Sequence, residues 1–96
     1  MPTAILALSY TILLGVLKAL RESNVKVGKE MSLIAFDDNI SMDYMSPAIT
    51  RVSQPIEEMG RLAIKVLFDM IKTGTRMVSQ IELSTELIVR DSIRML

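Results

Sequence analysis

The sequence predicts an α/β fold in which parallel strands are joined by a helix. Residues 3–8 and 31–36 are two short, continuously apolar runs, as is typical of strands that are buried on both faces of a sheet. Between them lies a longer apolar segment, which predicts a helix that ends near Ser23. A strand, a helix and a strand of these lengths form a parallel βαβ unit.

The helix of this unit is predicted to follow a turn at residues 9–11, with Ser9 or Thr11 as its N-cap. Its apolar residues cover more than one stripe of the helix surface. We therefore expect it to be covered on more than one side, by the sheet and by another chain. These apolar residues are Leu13, Leu14, Val16, Leu17, Ala19 and Leu20.

Shorter elements are predicted on either side of a second helix. Residues 48–53 alternate in the manner of a strand or an extended crossover, and residues 81–83 and 86–89 are two short strand candidates. Residues 38–46 are predicted to form a loop whose apolar members are exposed. These members are Ile40, Met42, Tyr44 and Met45.

The second helix is predicted to begin at Pro55, which suits the first helical position. Glu57 and Glu58 suit the positive end of the helix dipole. Apolar residues then repeat at helical spacing as far as Ile71, and Gly74 is predicted to end the helix as a left-handed cap.

The composition excludes several classes of function. The 96 residues include no cysteine and no histidine, which excludes disulfides, thiolate zinc sites and mechanisms that need an imidazole. Eleven basic and 11 acidic residues give a net charge of zero, which argues against direct nucleic-acid binding, because phosphate affinity depends on clustered Lys and Arg. Residues 5–20 are interrupted by polar side chains and are shorter than the ~20 apolar residues of a membrane span. We expect a cytoplasmic protein with no membrane contact, metal or cofactor.

The strand predicted at residues 31–36 ends in two adjacent carboxylates, Asp37 and Asp38. Ligands of open α/β sheets bind in the crevice outside the carboxyl ends of the strands. A carboxylate there can accept hydrogen bonds from hydroxyl groups, so this edge is a candidate polyol site. Ser9 and Tyr10 follow the first strand into the same crevice, where Tyr10 could stack on a sugar face. The alternatives are that Asp37 caps a turn and that Ser9 caps the helix beside a half-buried Tyr10.

Enzymatic readings find little support in the sequence. Adjacent side chains diverge along a strand, so Asp37 and Asp38 cannot face each other across a bond as the carboxylates of a glycosidase do. The four glycines are scattered and form no phosphate-binding loop. We predict that the chain is not an enzyme and that Arg90 pairs with a carboxylate.

Several motifs follow one another in order along nearly the whole chain. At these residues the sequence resembles the LacI/GalR family of bacterial transcription regulators, and more narrowly the C-terminal portion of their effector-binding domain. The motifs are residues 2–5 (PTAI), 15–22 (GVLKALRE), 32–38 (SLIAFDD), 58–60 (EMG) and 86–92 (ELIVRDS), together with Pro47, Thr50, Val52, Gln54, Pro55, Ala63 and Leu67.

The resemblance implies a periplasmic-binding-protein-like, Rossmann-like architecture, with two α/β lobes flanking a sugar or nucleobase cleft. It assigns residues 1–47 to the C-terminal lobe, 48–54 to a crossover, 55–83 to the N-terminal lobe and 84–96 to a return strand and tail. The chain would then be a fragment that carries parts of both lobes. DNA binding would belong to a missing N-terminal helix-turn-helix domain.

The resemblance also implies roles for individual residues. Asp37 matches the ligand-contacting carboxylate of the family, and with this match we favour a ligand contact over a turn cap. Asp38 is assigned to a turn or a lobe hinge. The polar Asn-Asp pair that usually follows the first strand is replaced by Ser9 and Tyr10, and the usual glycine before the aromatic residue is Ala35.

Four apolar residues, Leu14, Leu17, Tyr44 and Met45, match family positions that pack between subunits. The alternative is an ordinary intramolecular core, but the apolar helix and the Met- and Tyr-rich loop favour an interface. We therefore predict a homodimer or higher oligomer. In the intact parent, a small-molecule effector would shift lobe closure and operator affinity. The alternative function is a stand-alone interaction protein without ligand binding.

Overall fold

The computed structural model describes residues 2–75 and 80–94 of the chain. The described residues divide into two compact units. The first lies within Met1–Ser53 and Glu86–Leu96, and the second lies within Gln54–Thr85.

The first unit contains a four-stranded sheet whose strands lie in chain order. Strands β1 (Ala4–Ala7), β2 (Ser32–Phe36) and β3 (Thr50–Ser53) are parallel, and β4 (Glu86–Ile88) pairs with β3 in the antiparallel direction. Helix α1 (Tyr10–Glu22) connects β1 to β2. The predicted parallel βαβ unit is therefore confirmed.

The sequence on either side of α1 sets both of its ends. Ser9 has an extended backbone, and its hydroxyl accepts a hydrogen bond from the Ile12 N–H at 3.2 Å, so Ser9 is the N-cap. At the other end Asn24 adopts a left-handed φ of 57°, and the Val25 N–H donates to the Leu20 carbonyl at 2.9 Å. Asn tolerates this backbone conformation better than most residues, and the helix ends there.

The core of the first unit lies between α1 and one face of the sheet. Leu13 is the buried residue of α1, and α1 contacts both β1 and β2. Each large apolar side chain that is fully buried contributes about 1.5–3 kcal/mol. The buried cluster is Ala7, Leu13, Leu33, Ala35, Met42 and Ile49.

The opposite side of β1 is open within the described residues. Leu6 is 55% exposed and Leu8 is 65% exposed. The prediction that this strand is buried on both faces is therefore wrong for the described residues. Ile12 and Leu14 of α1 are 50% and 45% exposed, so within this chain the sheet covers one side of α1, and the expected cover by another chain stays a prediction. Strand side chains alternate between two faces, and the contacts of α1 cover one of them.

The segment between β2 and β3 contains a short 3-10 helix, Ile40–Tyr44. Met42 is fully buried in the core, so the prediction that it is exposed is wrong. Ile40 and Tyr44 are 71% and 82% exposed, as expected. The helical turn directs Met42 inward while its neighbours two residues away point outward.

The second unit contains helix α2 (Ile56–Thr73). It begins one residue later than predicted, so Pro55 is its N-cap rather than its first residue, and Gly74 ends it with a left-handed φ of 66°, as predicted. Residues 81–83 do not form the predicted strand. The described residues of this unit contain no strand with which residues 81–83 could form a ladder of hydrogen bonds. Ile81 and Leu83 instead line a small pocket beside α2.

Three of the four predicted segments, 1–47, 55–83 and 84–96, include residues that lie outside the described part of the chain. The predicted crossover, 48–54, lies inside it. No helix in the described part is long and apolar enough to cross a membrane.

Candidate functional site

The candidate site lies where the parallel strands of the first unit end. Ala7 of β1 is paired with Ala35 of β2 in the parallel register. Ser9 and Asp37 each follow two residues after this pair, and Tyr10 comes next along the chain. The fold therefore brings the three predicted ligand residues to the carboxyl edge of the same two strands.

The side chains of Ser9 and Tyr10 both have intramolecular partners. The Ser9 hydroxyl accepts from the Ile12 N–H, as an N-cap does. The hydroxyls of Tyr10 and Ser41 are 2.8 Å apart and hydrogen-bonded, so Tyr10 connects α1 to the 3-10 helix. Both residues remain partly exposed.

Asp37 has an unusual backbone conformation at the end of β2. Its φ is 155°, which L residues rarely adopt. Its Oδ1 accepts a hydrogen bond from the N–H of Asp38 at 3.0 Å. This is the turn-capping contact that the sequence analysis gave as the alternative role of Asp37. Within the described residues no hydrogen bond occupies Oδ2, and the side chain is partly exposed. Asp37 therefore caps a turn and still offers an acceptor to a ligand.

A cluster of charged residues beside Asp37 is the main feature of the site that sequence reasoning missed. Arg51, from β3, is 5% exposed. Its Nε donates to Asp38 Oδ1 at 2.7 Å, and its Nη1 donates to Asp43 Oδ1 at 2.7 Å. Ser53 Oγ donates to Asp38 Oδ2 at 2.6 Å, and Arg90 Nε donates to Asp43 Oδ1 at 3.0 Å. We call these five residues the Arg51 cluster.

The protonation of the cluster follows from these contacts. The hydrogen bond from Ser53, and after it the bond from Arg51, hold the pKa of Asp38 below its usual value. The bond from Arg51 is also the main cause of the lowered pKa of Asp43. Asp43 in turn raises the pKa of Arg51. All three groups are therefore charged at neutral pH, and Asp38 is engaged by protein partners.

The sequence contained part of the signal for this cluster. Arg51 and Ser53 fall on one side of an alternating strand, and a partner for Arg90 among the carboxylates was predicted. Arg90 does pair with a carboxylate, Asp43. The pairing of Arg51 with Asp38 and Asp43 joins residues 13 and 8 positions apart, which no local pattern specifies.

The predicted interface residues differ in exposure. Tyr44 is 82% exposed and Leu14 is 45% exposed, whereas Leu17 and Met45 pack partly against the core. Leu14, Leu17 and Met45 line an open groove of about 740 Å³. Four basic residues, Lys18, Arg21, Lys26 and Lys29, also line it.

The arrangement at the strand ends suits binding. Asp37 can accept hydrogen bonds from hydroxyl groups, and Tyr10 can contact an apolar ring face. Asp38, the neighbouring carboxylate, is held by Arg51 and Ser53. Among the described residues there is no group of three or more side chains that could hold a metal ion.

Comparisons with known proteins agree with this reading of the fold. A family model described as a periplasmic binding protein-like domain matches residues 1–93. The chain is 32% identical over 97 residues to the HTH-type transcriptional repressor PurR of Haemophilus influenzae, and the match covers 98% of this chain and 29% of that repressor.

Solved structures extend the comparison. A LacI family transcriptional regulator from Enterococcus faecalis V583, with bound ribose, is 27% identical with a TM-score of 0.86, over 96% of this chain and 34% of that one. The lac repressor dimer bound to operator and an anti-inducer is 25% identical with a TM-score of 0.82, over 97% of this chain and 32% of that one. The chain thus spans about a third of the length of these relatives. It belongs to the periplasmic binding protein-like domain family, and within that family it corresponds to part of the effector-binding domain of LacI-family transcription regulators.

Proposed function

We propose that this chain forms one wall of a sugar-binding effector site in a cytoplasmic transcription regulator. The observation that carries the proposal is the partly exposed Asp37 residue at the carboxyl edge of a parallel sheet, where Ser9 and Tyr10 follow the neighbouring strand. Its backbone φ of 155° supports the same reading, because such conformations cost about 1–3 kcal/mol and cluster at functional sites. A related regulator of the same fold holds ribose.

The regulator would work through its two lobes. An effector that contacts both lobes favours one degree of closure, and the shift depends on its differential affinity for the two states. In a dimer this would change the spacing of the DNA-binding domains, and hence the affinity for an operator. The lac repressor dimer bound to operator is a precedent for such an assembly.

The lobes would divide the chain as the resemblance implies. We propose that residues 1–47 and the return strand within 84–96 serve the C-terminal lobe, that 48–54 cross between the lobes, and that 55–83 serve the N-terminal lobe. The separation of the described residues into two compact units at Ser53 and again at Thr85 supports this division.

The proposal is tested by titrating D-ribose, followed by a panel of pentoses and hexoses, into the intact gene product. Asp37→Asn should weaken the sugar that binds best by about 10- to 100-fold, because it replaces a charge-assisted acceptor with a neutral one. Asp69→Asn, an exposed carboxylate of α2, serves as the matched control and should leave affinity unchanged. Unchanged affinity in Asp37→Asn would contradict the proposed role of this edge.

The 96-residue chain alone is expected to bind these sugars weakly or not at all, because it supplies only one wall of the proposed cleft. The check is a sugar titration monitored by the fluorescence of Tyr10 and Tyr44. Binding at millimolar concentration or tighter would show that the single wall is sufficient.

A second candidate is a stand-alone interaction protein that dimerises and binds no effector. The exposure of Leu14 and Tyr44, together with the absence of any buried residue in α2, favours this alternative. The intact mass of the gene product in its native cell separates the two candidates. A mass of 10.7 kDa favours the interaction protein, and a mass several times larger favours the regulator.

A further inference from the structure

We propose that Arg51 is a positioning residue that holds residues 37–45 in one arrangement, and so sets both the Asp37 carboxylate and the Tyr44–Met45 surface. The inference rests on the proposed function of Asp37 as a ligand acceptor. It assigns to Arg51 a role that requires no contact between Arg51 and the ligand.

The contacts of the guanidinium group are the first argument. One side chain bridges Asp38 and Asp43, which lie near the two ends of the segment, and each bridge has a contact of 2.7 Å. The second bridge is bidentate, since Nη2 also donates to Asp43 Oδ2 at 3.3 Å. A planar guanidinium group with several N–H donors engaged in this way fixes the orientation of the two carboxylates as well as their distance from Arg51.

The base of the Arg51 side chain is rigid. Arg51 is paired with Ala35 of β2 and with Ile88 of β4, so its backbone lies in the middle of the sheet. Its side chain is 6% exposed. The segment 37–45 is therefore held against the sheet itself, rather than against another loop.

Two other contacts connect the same segment to its surroundings. Ser41 is hydrogen-bonded to the hydroxyl of Tyr10, one of the proposed ligand residues. Met42 is fully buried, and its carbonyl accepts from the Ile49 N–H at 3.0 Å. Movement of the segment would therefore displace the ring of Tyr10 as well as Asp37.

The energetics favour a role in positioning over one in stability alone. A largely buried ion pair loses hydration energy that offsets much of its attraction, and apolar replacements of such pairs are often neutral or stabilising. The ion-pair cluster instead gives a single geometry to the segment 37–45, which carries Asp37 and Asp38 next to the proposed ligand edge. By engaging Asp38, Arg51 also leaves Asp37 as the acceptor that remains open to a ligand.

The position of the chain's two tyrosines allows a direct test. With 3-fluorotyrosine incorporated, Tyr10 reports the ligand side of the segment and Tyr44 reports its outer surface by fluorine NMR. Arg51→Met should shift or broaden both resonances, Arg51→Lys should restore them in part, and Asp43→Asn should act more strongly on Tyr44. Arg61→Met, which removes an exposed arginine of α2, is the matched control and should leave both resonances unchanged.

A purely structural role predicts a different result. Arg51→Met is expected to lower the melting temperature in either case. With a purely structural role, however, the two resonances of the folded protein at low temperature would stay where they are, and the inference would be overturned. If Arg51→Met does not fold, Asp43→Asn gives the same decision, because it keeps the pair between Arg51 and Asp38.

Ribose titration of the intact gene product connects the segment to binding. Arg51→Met should weaken affinity about tenfold through misplacement of Asp37, and Arg51→Lys should recover part of the loss. If Asp37→Asn abolishes binding and Arg51→Met does not change it, the inference fails and the proposed function stands. If Asp37→Asn has no effect, the proposed function fails, and the fluorine spectra still decide whether Arg51 positions the segment.

Discussion

Ser92 shows how one small side chain can hold three parts of the first unit together. It is fully buried, its hydroxyl accepts from the Thr50 N–H at 2.8 Å, and it donates to the Leu33 carbonyl. The Ser92 carbonyl in turn accepts from the Leu33 N–H at 2.9 Å. The chain that follows β4 is therefore joined to both β2 and β3 through backbone groups that have no access to water.

Replacing Ser92 with Ala should lower the free energy of unfolding by about 2–4 kcal/mol, because the substitution leaves two buried backbone groups without a partner. The measurement is a urea titration monitored by tyrosine fluorescence, since both tyrosines lie in the first unit. Ser84→Ala, at an exposed position, is the control and should stay close to wild type. Equal midpoints for the two variants would contradict the role of Ser92.

The Arg51 cluster predicts a pH dependence of stability. The pKa values of Asp38 and Asp43 are lower in the folded protein than the usual 3.8. A carboxyl group with a depressed folded pKa stabilises the protein above its unfolded pKa, and this contribution is lost as the pH falls through the folded pKa. The contribution of the cluster should therefore be complete at neutral pH and decrease below about pH 4.

The prediction is that Arg51→Met destabilises the protein more at pH 7 than at pH 3. Urea midpoints of wild type and variant at both pH values, at one ionic strength, provide the comparison. A difference between wild type and variant that stays the same at pH 3 would mean that the two carboxylates do not carry the effect.

At the level of the helices, replacing Gly60 within α2 and replacing Gly74 at its C-cap by Ala are expected to change the stability of the helix in opposite directions. Gly74 has a left-handed φ of 66°, whereas Gly60 lies within the helix and an added Cβ would meet nothing within 4 Å. Gly74→Ala should therefore shorten the helix and destabilise it by about 1 kcal/mol, because an L side chain disfavours this conformation. Gly60→Ala should stabilise it by about 0.5–1 kcal/mol.

Circular dichroism at 222 nm during thermal unfolding measures both effects, and each variant serves as the control for the other. If both variants shift the melting temperature in the same direction, contacts outside the helix determine the result, rather than the backbone conformation of the two glycines.

Large apolar side chains are exposed in both units of the chain, and contiguous exposed apolar surface favours association. None of the residues of α2 is buried, and Leu67 and Phe68 are 56% and 59% exposed. In the first unit Leu14 and Tyr44 are similarly open. We therefore expect the chain to associate or to exchange elements between copies at micromolar concentration.

Light scattering should give a mass of at least twice 10.7 kDa. If association uses the predicted interface, the double variant Leu14→Glu with Tyr44→Glu should lower the mass, and Leu67→Glu should not. The reverse result would move the contact to α2. A monomeric wild type at micromolar concentration would contradict the prediction of self-association altogether.

Local patterns in the sequence were sufficient to predict the βαβ unit, the cap at Ser9 and the end of α2 at Gly74. These features depend on side-chain periodicity and on backbone preferences within a few residues, which a sequence displays directly. The family resemblance assigned the proposed ligand edge by the same kind of local motif. The sequence therefore placed Asp37, Ser9 and Tyr10 at the ends of the strands to which they belong.

Other features depend on pairs of residues that are distant in the chain. Met42 is buried, residues 81–83 form no strand, and one face of β1 is open, because the packing and pairing partners of each segment are set by the assembled fold. The Arg51 cluster is the clearest case. Its carboxylates looked like ordinary loop residues until β3 brought a buried guanidinium within 2.7 Å of both. Burial and charge pairing depend on distances across the sheet, and those distances exist only once the chain has folded.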